Sequence, residues 1–209
     1  MICGGSAGGI LEWAAAGQPL AGQIVSGDLH LVAPFDDGAL VAVIDGLGHG
    51  REAEVAAKAA AEVLLADPAA SVDALVTRCH RALGRLRGAV MSLASFDTKQ
   101  GGSLTWVGVG NVEAILLRLE PAPGQPAHER LLVWGGIVGQ TLPTLRPQTL
   151  RVFPGDMILL ATDGLRTTAL AETRPIDTME VIASRFLAEH ARGTDDALVL
   201  AARYRGPPP

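Results

Sequence analysis

Cysteine is scarce: only Cys3 and Cys79 occur in 209 residues. Two thiols so far apart supply neither a disulfide framework nor a C-x-x-C metal pair. Aromatic residues are only 4% of the chain, so a core has to be assembled from Leu, Val, Ile and Ala. No apolar run approaches the ~20 residues that a membrane helix requires. The uncharged stretch from Trp13 to Gly27 is broken by Gly17, Gln18, Pro19, Gly22 and Gln23. No basic segment precedes an apolar one at the N-terminus, so a secretory leader is not expected. These absences point to a soluble, cytoplasmic protein with no membrane partner.

Lys and Arg are missing altogether from residues 1–50, which carry Glu12, Asp28, Asp36, Asp37 and Asp45. The formal net charge of -5 is therefore the charge of that first quarter, and the rest is neutral. Such a distribution argues against nucleic acid as a partner. It suits a site that gathers carboxylates around cations, although plain surface acidity would have the same composition.

What is present is a folded, strand-rich domain, with 48% hydrophobic and 19% charged residues. Ile10 to Ala16 reads as a first strand. Asp28 to Phe35 and Ala39 to Ile44 flank Asp36-Asp37-Gly38, a hairpin whose turn needs glycine. Val90 to Phe96 and Ser103 to Val109 form a second hairpin. Strands follow at Val112 to Leu119, Leu131 to Trp134, Thr149 to Phe153, Met157 to Ala161 and Ala197 to Tyr204. Helices are expected over Arg51 to Leu65, from an N-cap at Ser71 to about Leu86, and over Asp177 to Ala191. Glu120 to Glu129, with three prolines, reads as an exposed loop. Runs of antiparallel strands interrupted by paired helices give an α+β class.

Four acidic positions share one context. Asp28 precedes a strand, after Gly27. Asp45 and Asp163 each end an apolar strand and are followed by glycine, Gly46 and Gly164. Asp195-Asp196 opens the last strand. A rigid strand fixes a carboxylate, and glycine lets backbone or ligand come close. Hard divalent cations take oxygen ligands of this kind and would relieve the repulsion among them. Any one Asp-Gly pair is by itself an ordinary turn signal; four such boundaries together make coincidence less attractive.

Gly27-Asp28, the run Val43 to Gly50, the run Ala161 to Leu165 and the run Asp195 to Leu200 occur in an order that resembles the type-2C (PPM) phosphatases. The likeness is greatest to their bacterial SpoIIE branch, including its short, single-domain stressosome members. It extends through Met91 to Phe96, Gly108 to Leu117 and Pro154-Gly155-Asp156. The resemblance implies a PPM-type fold over residues 1–205, two antiparallel β-sheets packed as a sandwich and flanked by α-helices, with Gly206 to Pro209 as a Pro-rich tail.

It implies a protein serine/threonine phosphatase with two divalent cations, Mn2+ or Mg2+, whose bound water attacks the phosphorus. Asp45 would bridge the two ions. Asp163 and Asp195 would complete one, and Asp28 and the Gly46 carbonyl would serve the other. The implied substrate is phosphoserine or phosphothreonine on a partner-switching protein, a STAS-domain stressosome component or anti-sigma-antagonist. Two positions depart from the wider family: Leu47 stands where many members have a histidine, and Asn111 where several have an aspartate for a third ion. Rival readings are a catalytically silent phosphoprotein-binding regulator and a hydrolase of small phosphate esters, although no P-loop or Rossmann glycine motif is present.

Several single residues have a functional and a plain reading. His49 could contact substrate phosphate, or merely stand at the start of a helix. His30 shares strand parity with Asp28 and could support the metal site or pack in the sandwich. Asp196 is expected to orient Asp195 or cap the turn, and Asp156 to be a turn residue. Cys79 is expected as a small buried hydrophobe. Arg78, Arg81 and Arg85 lie along one side of a helix, either solvated or docking an acidic partner.

Overall fold

The computed structural model describes residues 1–207, apart from the side chain of Gln100. Pro208 and Pro209 of the expected tail lie outside the described residues. The strands are β1 (Ile2–Ala7), β2 (Leu11–Gln18), β3 (Asp28–Phe35), β4 (Gly38–Gly46), β5 (Ala89–Asp97), β6 (Ser103–Val109), β7 (Glu113–Leu117), β8 (His128–Leu131), β9 (Val133–Trp134), β10 (Gln148–Arg151), β11 (Met157–Ala161) and β12 (Ala197–Tyr204). Helices α1 (Arg51–Ala66) and α2 (Val72–Ala82) separate β4 from β5, and α3 (Met179–His190) precedes β12.

One sheet has the order β1-β2-β12-β11-β7-β8 and the other β10-β6-β5-β4-β3, with β9 also paired to β6. All pairings are antiparallel except β6 with β9, which is parallel. That two-residue ladder makes the second sheet mixed rather than purely antiparallel.

Strand parity sorts the residues into layers. Ala39, Val41 and Val43 of β4 face the space between the sheets, with Leu200 and Ala202 of β12 and Ile158 and Leu160 of β11. The alternate residues Leu40, Ala42 and Ile44 face outward, against α1 and α2. Ala197, Val199 and Ala201 face α3 in the same way. Helix α1 buries an alanine stripe, Ala53, Ala56, Ala57, Ala60 and Ala61. Small side chains at helical spacing allow the helix backbone to lie close to the sheet. The result is a helix–sheet–sheet–helix stack with three apolar seams.

Local structure differs from expectation at a few places. The glycine-rich segment Ile2–Ala7 is a strand, although it is largely exposed and shows no alternation. Pairing with β2 creates it, through a turn in which Gly8 and Gly9 adopt positive φ. The single strand expected from Leu131 to Trp134 is two. β8 joins β7 in the first sheet and β9 joins β6 in the second, so the chain changes sheets at Leu132. Helix α2 stops at Ala82, four residues before Leu86, and Ser71 stands at its N-cap position without a side-chain bond. A short 3₁₀ segment at Thr167–Glu172 has no counterpart in the expectations.

Candidate metal centre

The four carboxylate positions lie at one end of the sandwich. Asp45 is the last residue but one of β4 and stands directly opposite Asp28, the first residue of β3. Side chains in that relation have Cβ atoms about 5 Å apart, and like charges so placed repel. Asp163 follows β11 and Asp195 precedes β12, which pair with each other in the facing sheet. A cleft of about 350 Å³ is lined by Asp45, Leu47, Asn111, Asp163 and Asp195, with glycines 48, 110, 135 and 136 and Val90 completing it. Asp28 borders a neighbouring hollow of about 340 Å³ with Ser26 and His30.

The glycines after the two strand-ending aspartates serve close approach rather than a reversed turn. A Cβ on Gly46 would lie 2.1 Å from the Ala53 carbonyl oxygen of α1. A Cβ on Gly164 would lie 1.8 Å from the Asp196 carbonyl oxygen. Neither position has a positive φ. Each glycine thus lets another segment press against a carboxylate-bearing strand end.

Three of the carboxylates are steadied through one oxygen. Thr162 Oγ1 donates to Asp28 Oδ2 (2.7 Å). Asn111 Nδ2 donates to Asp163 Oδ2 (2.6 Å). The Asp196 amide donates to Asp195 Oδ1 (2.8 Å). No hydrogen bond reaches the carboxylate of Asp45 among the described residues, and none of the four forms an ion pair there.

Burial, with Asp28, Asp163, Asp195 and Asp196 adding to it, pushes the Asp45 carboxyl up to about 9. Burial also raises Asp28 to about 7, opposed by the Thr162 hydrogen bond and reinforced by neighbouring carboxylates. Asp163 is raised by burial and by Asp195, with Arg192 acting against them. Negative charge is costly here because Thr162 and Arg192 do not outweigh burial and the mutual repulsion of the carboxylates.

This donor set fits hard divalent cations: oxygen atoms only, several without a protein donor, no basic side chain lining the cleft. Among the described residues no three acidic, imidazole or thiol groups are close enough to enclose one ion by themselves. A divalent cation such as Mg2+ can be held by one or two carboxylates with several waters.

The model of the family described as Stage II sporulation protein E (SpoIIE) matches residues 36–205. The chain belongs to the SpoIIE family. Phosphoserine phosphatase RsbX of Bacillus subtilis (strain 168) is 27% identical to this SpoIIE chain over 144 residues, which is 69% of each. The crystal structure of RsbX in complex with magnesium matches with a TM-score of 0.85 at 21% identity, over 98% of this chain and 100% of that one. A chain from a structure of the bacterial stressosome, described as a modular system adapted to control secondary messenger signalling, matches with a TM-score of 0.81 at 29% identity. It covers 92% of this chain and 99% of its own. The type-2C phosphatase fold and hydrolase class expected from the motifs are therefore met by the SpoIIE assignment. Asp28 lies before residue 36, outside the SpoIIE match, and its ladder position and its bond to Thr162 join it to the matched part.

The remaining candidates separate clearly. Asp196 is buried and accepts from the amides of Leu20 (2.7 Å) and Gly27 (2.6 Å), so it ties down the loop before Asp28. His30 packs against Trp13, and its Nε2 lies 3.3 Å from Cys3 Sγ; burial lowers its pKa. It makes no bond to a proposed ligand. His49 is exposed and lines neither cavity. Cys79 is buried, with its thiol pushed up to about 12 by burial. Asp156 is an internal anchor, accepting from Arg118 Nη1 at 2.8 Å. Among the described residues no helix is long and apolar enough to cross a membrane. Sequence reasoning missed Thr162. Its signal was there: a polar residue at the inward parity of Ile158 and Leu160, just before Asp163.

Proposed function

We propose that this SpoIIE-family chain is a metal-dependent protein serine/threonine phosphatase, formed by residues 1–205 as a single domain. Its substrate would be phosphoserine or phosphothreonine on a partner-switching protein, a STAS-domain stressosome component or anti-sigma-antagonist, in the cytoplasm. The observation that carries this reading is the meeting of Asp45, Asp163 and Asp195 in one cleft, with Asp28 across the ladder from Asp45. The similarity to RsbX, named as a phosphoserine phosphatase, and to a stressosome chain supports the substrate class.

Asp45, with both oxygens free of protein donors, suits a position shared by two cations, Mn2+ or Mg2+. Asp163 and Asp195 would hold one. Asp28 and the Gly46 carbonyl would serve the other, Asp28 remaining steadied by Thr162. Bound there, such cations supply an acidified water and offset the charge of the phosphate oxygens. The chain's own share is orientation: Asn111 holds Asp163, and Asp196 holds Asp195 and the loop carrying Asp28. Leu47 lines the cleft without a titratable group, and neither His30 nor His49 lines it.

The test is hydrolysis of p-nitrophenyl phosphate and of phosphorylated STAS-domain proteins from the same genome, with Mn2+, comparing wild type with Asp45→Ala. Loss of both activities with an unchanged circular dichroism spectrum is the expected result. Equal activity in the two proteins would remove the metal assignment.

A further inference from the structure

The phosphatase reading leaves one concentration of charge unused. From Arg78 to Arg87 there are four arginines, 78, 81, 85 and 87, and no acidic residue. Arg78 is engaged by Asp67 (2.8 Å) and Arg87 by Glu52. Arg85, and Arg51 at the start of α1, have neither an ion pair nor a hydrogen-bond partner for their guanidinium groups among the described residues. Arg51, Arg85 and Arg87, the last paired with Glu52, which also lines it, surround a groove of about 500 Å³ whose apolar lining is Val55 and Leu86. Both apolar residues are exposed, at 45% and 37%.

This groove adjoins the cleft. A Cβ on Gly48 would stand 2.8 Å from Arg87 Nη1, and Gly48 itself lines the carboxylate cleft. The Leu47 amide donates to the Gly88 carbonyl (3.1 Å), fixing the two margins together. The cations proposed for the cleft would serve the phosphate, and with no basic side chain in its lining the cleft offers an acidic segment beside that phosphate no attraction of its own. Exposed guanidinium groups beside the cleft provide it, since they pair carboxylates through two parallel bonds and steer acidic partners.

We propose that this groove docks an acidic segment of the phosphoprotein substrate, with an apolar side chain of that segment over Val55 and Leu86. The proposal rests on the phosphatase reading for its choice of partner. The occupant follows from charge complementarity and from the shared margin with the cleft.

The test uses the full chain with Mg2+ and two short fluorescent phosphoserine peptides, one flanked by several glutamates and its twin by glutamines. Anisotropy is expected to give about tenfold tighter binding of the acidic peptide, roughly the worth of two or three charge pairs. That preference should vanish in the Arg51→Gln/Arg85→Gln variant, and in ~1 M NaCl, where screening acts over about 3 Å. Equal binding of the twins to the wild type, or a preference that survives the double substitution, would overturn it. A short oligouridylate that binds more tightly than the acidic peptide, and is released by the same substitution, would overturn it in favour of RNA. Turnover of p-nitrophenyl phosphate, measured on the same samples and expected to be unchanged by the substitution, reports the phosphatase reading separately. No turnover with an intact peptide preference would reject that reading and keep the docking groove.

Discussion

The hydroxyl of Thr162, just past β11, joins the two sheets at the carboxylate end, donating at 2.7 Å to Asp28 Oδ2, 134 positions away in sequence. The same oxygen accepts the Leu198 amide at 2.9 Å. Thr162 is fully buried. One side chain therefore anchors a proposed ligand and satisfies an interior amide.

Thr162→Val keeps the shape and deletes both bonds. An unpaired buried amide costs about 1–3 kcal/mol. At about 2–4 °C per kcal/mol for a chain of this length, calorimetry should record a melting temperature several degrees lower. Mg2+ affinity by titration calorimetry should fall as well, since Asp28 loses its anchor. An unchanged Mg2+ affinity would show that Asp28 does not depend on Thr162.

With no cation bound, Asp28 and Asp45 hold protons that the unfolded chain has already released near pH 4. Folded pKa values above the unfolded value mean that this stability is fully present below the unfolded value. It is lost as pH rises through about 7 for Asp28 and about 9 for Asp45. The metal-free melting temperature should therefore decline across that interval. Mg2+ should restore more of it at the alkaline end. Asp45→Asn should flatten the decline and abolish much of the Mg2+ response. A metal-free melting temperature that rises through the same interval would contradict the sign.

Asp156 sits at the far end of β11 from Asp163 and accepts from Arg118 Nη1 (2.8 Å) and from the amides of Phe153 (3.0 Å) and Leu119 (3.2 Å). Asp156→Ala leaves buried Arg118 with only Glu129 and the Arg151 carbonyl as partners. Breaking a buried pair costs about 3–5 kcal/mol, so denaturant titration should show a large loss. Mg2+ affinity and turnover per folded molecule should not change. A variant that is stable but inactive would move Asp156 into the site.

Asn111→Asp replaces the donor to Asp163 Oδ2 with a second carboxylate. Without cations the variant should be less stable at neutral pH, by about 1–3 kcal/mol, from the lost bond and added repulsion. With Mg2+ in excess the difference should shrink or reverse, because the cleft gains an oxygen ligand. Melting curves with and without Mg2+ decide it; a metal-independent difference would place residue 111 outside the ion's reach.

Much of the fold was legible because it is local. The hairpins around Asp36-Asp37-Gly38 and Thr98 to Gly102, the alanine-rich helix α1, and strands β11 and β12 follow from short-range pattern and turn chemistry. Ile2–Ala7 and the division at Leu132 were not legible, because those strands exist only by virtue of the partners they meet. Burial and pairing outweigh propensity at such edges.

By itself the sequence determined that Asp28, Asp45 and Asp163 stand at strand boundaries beside glycine and that Asp195 opens the last strand, the last three within the span of the SpoIIE match. Only the tertiary structure decided that β4 and β11, from different sheets, end on the same side of the sandwich. Only it made Gly46 and Gly164 points of close backbone approach, Asp196 the anchor for Gly27, and His30 a packing partner of Trp13. The reason is geometric. Alternation along a strand says which face a side chain takes, whereas the distance between carboxylates on facing sheets depends on how those sheets pack, and no local pattern encodes that.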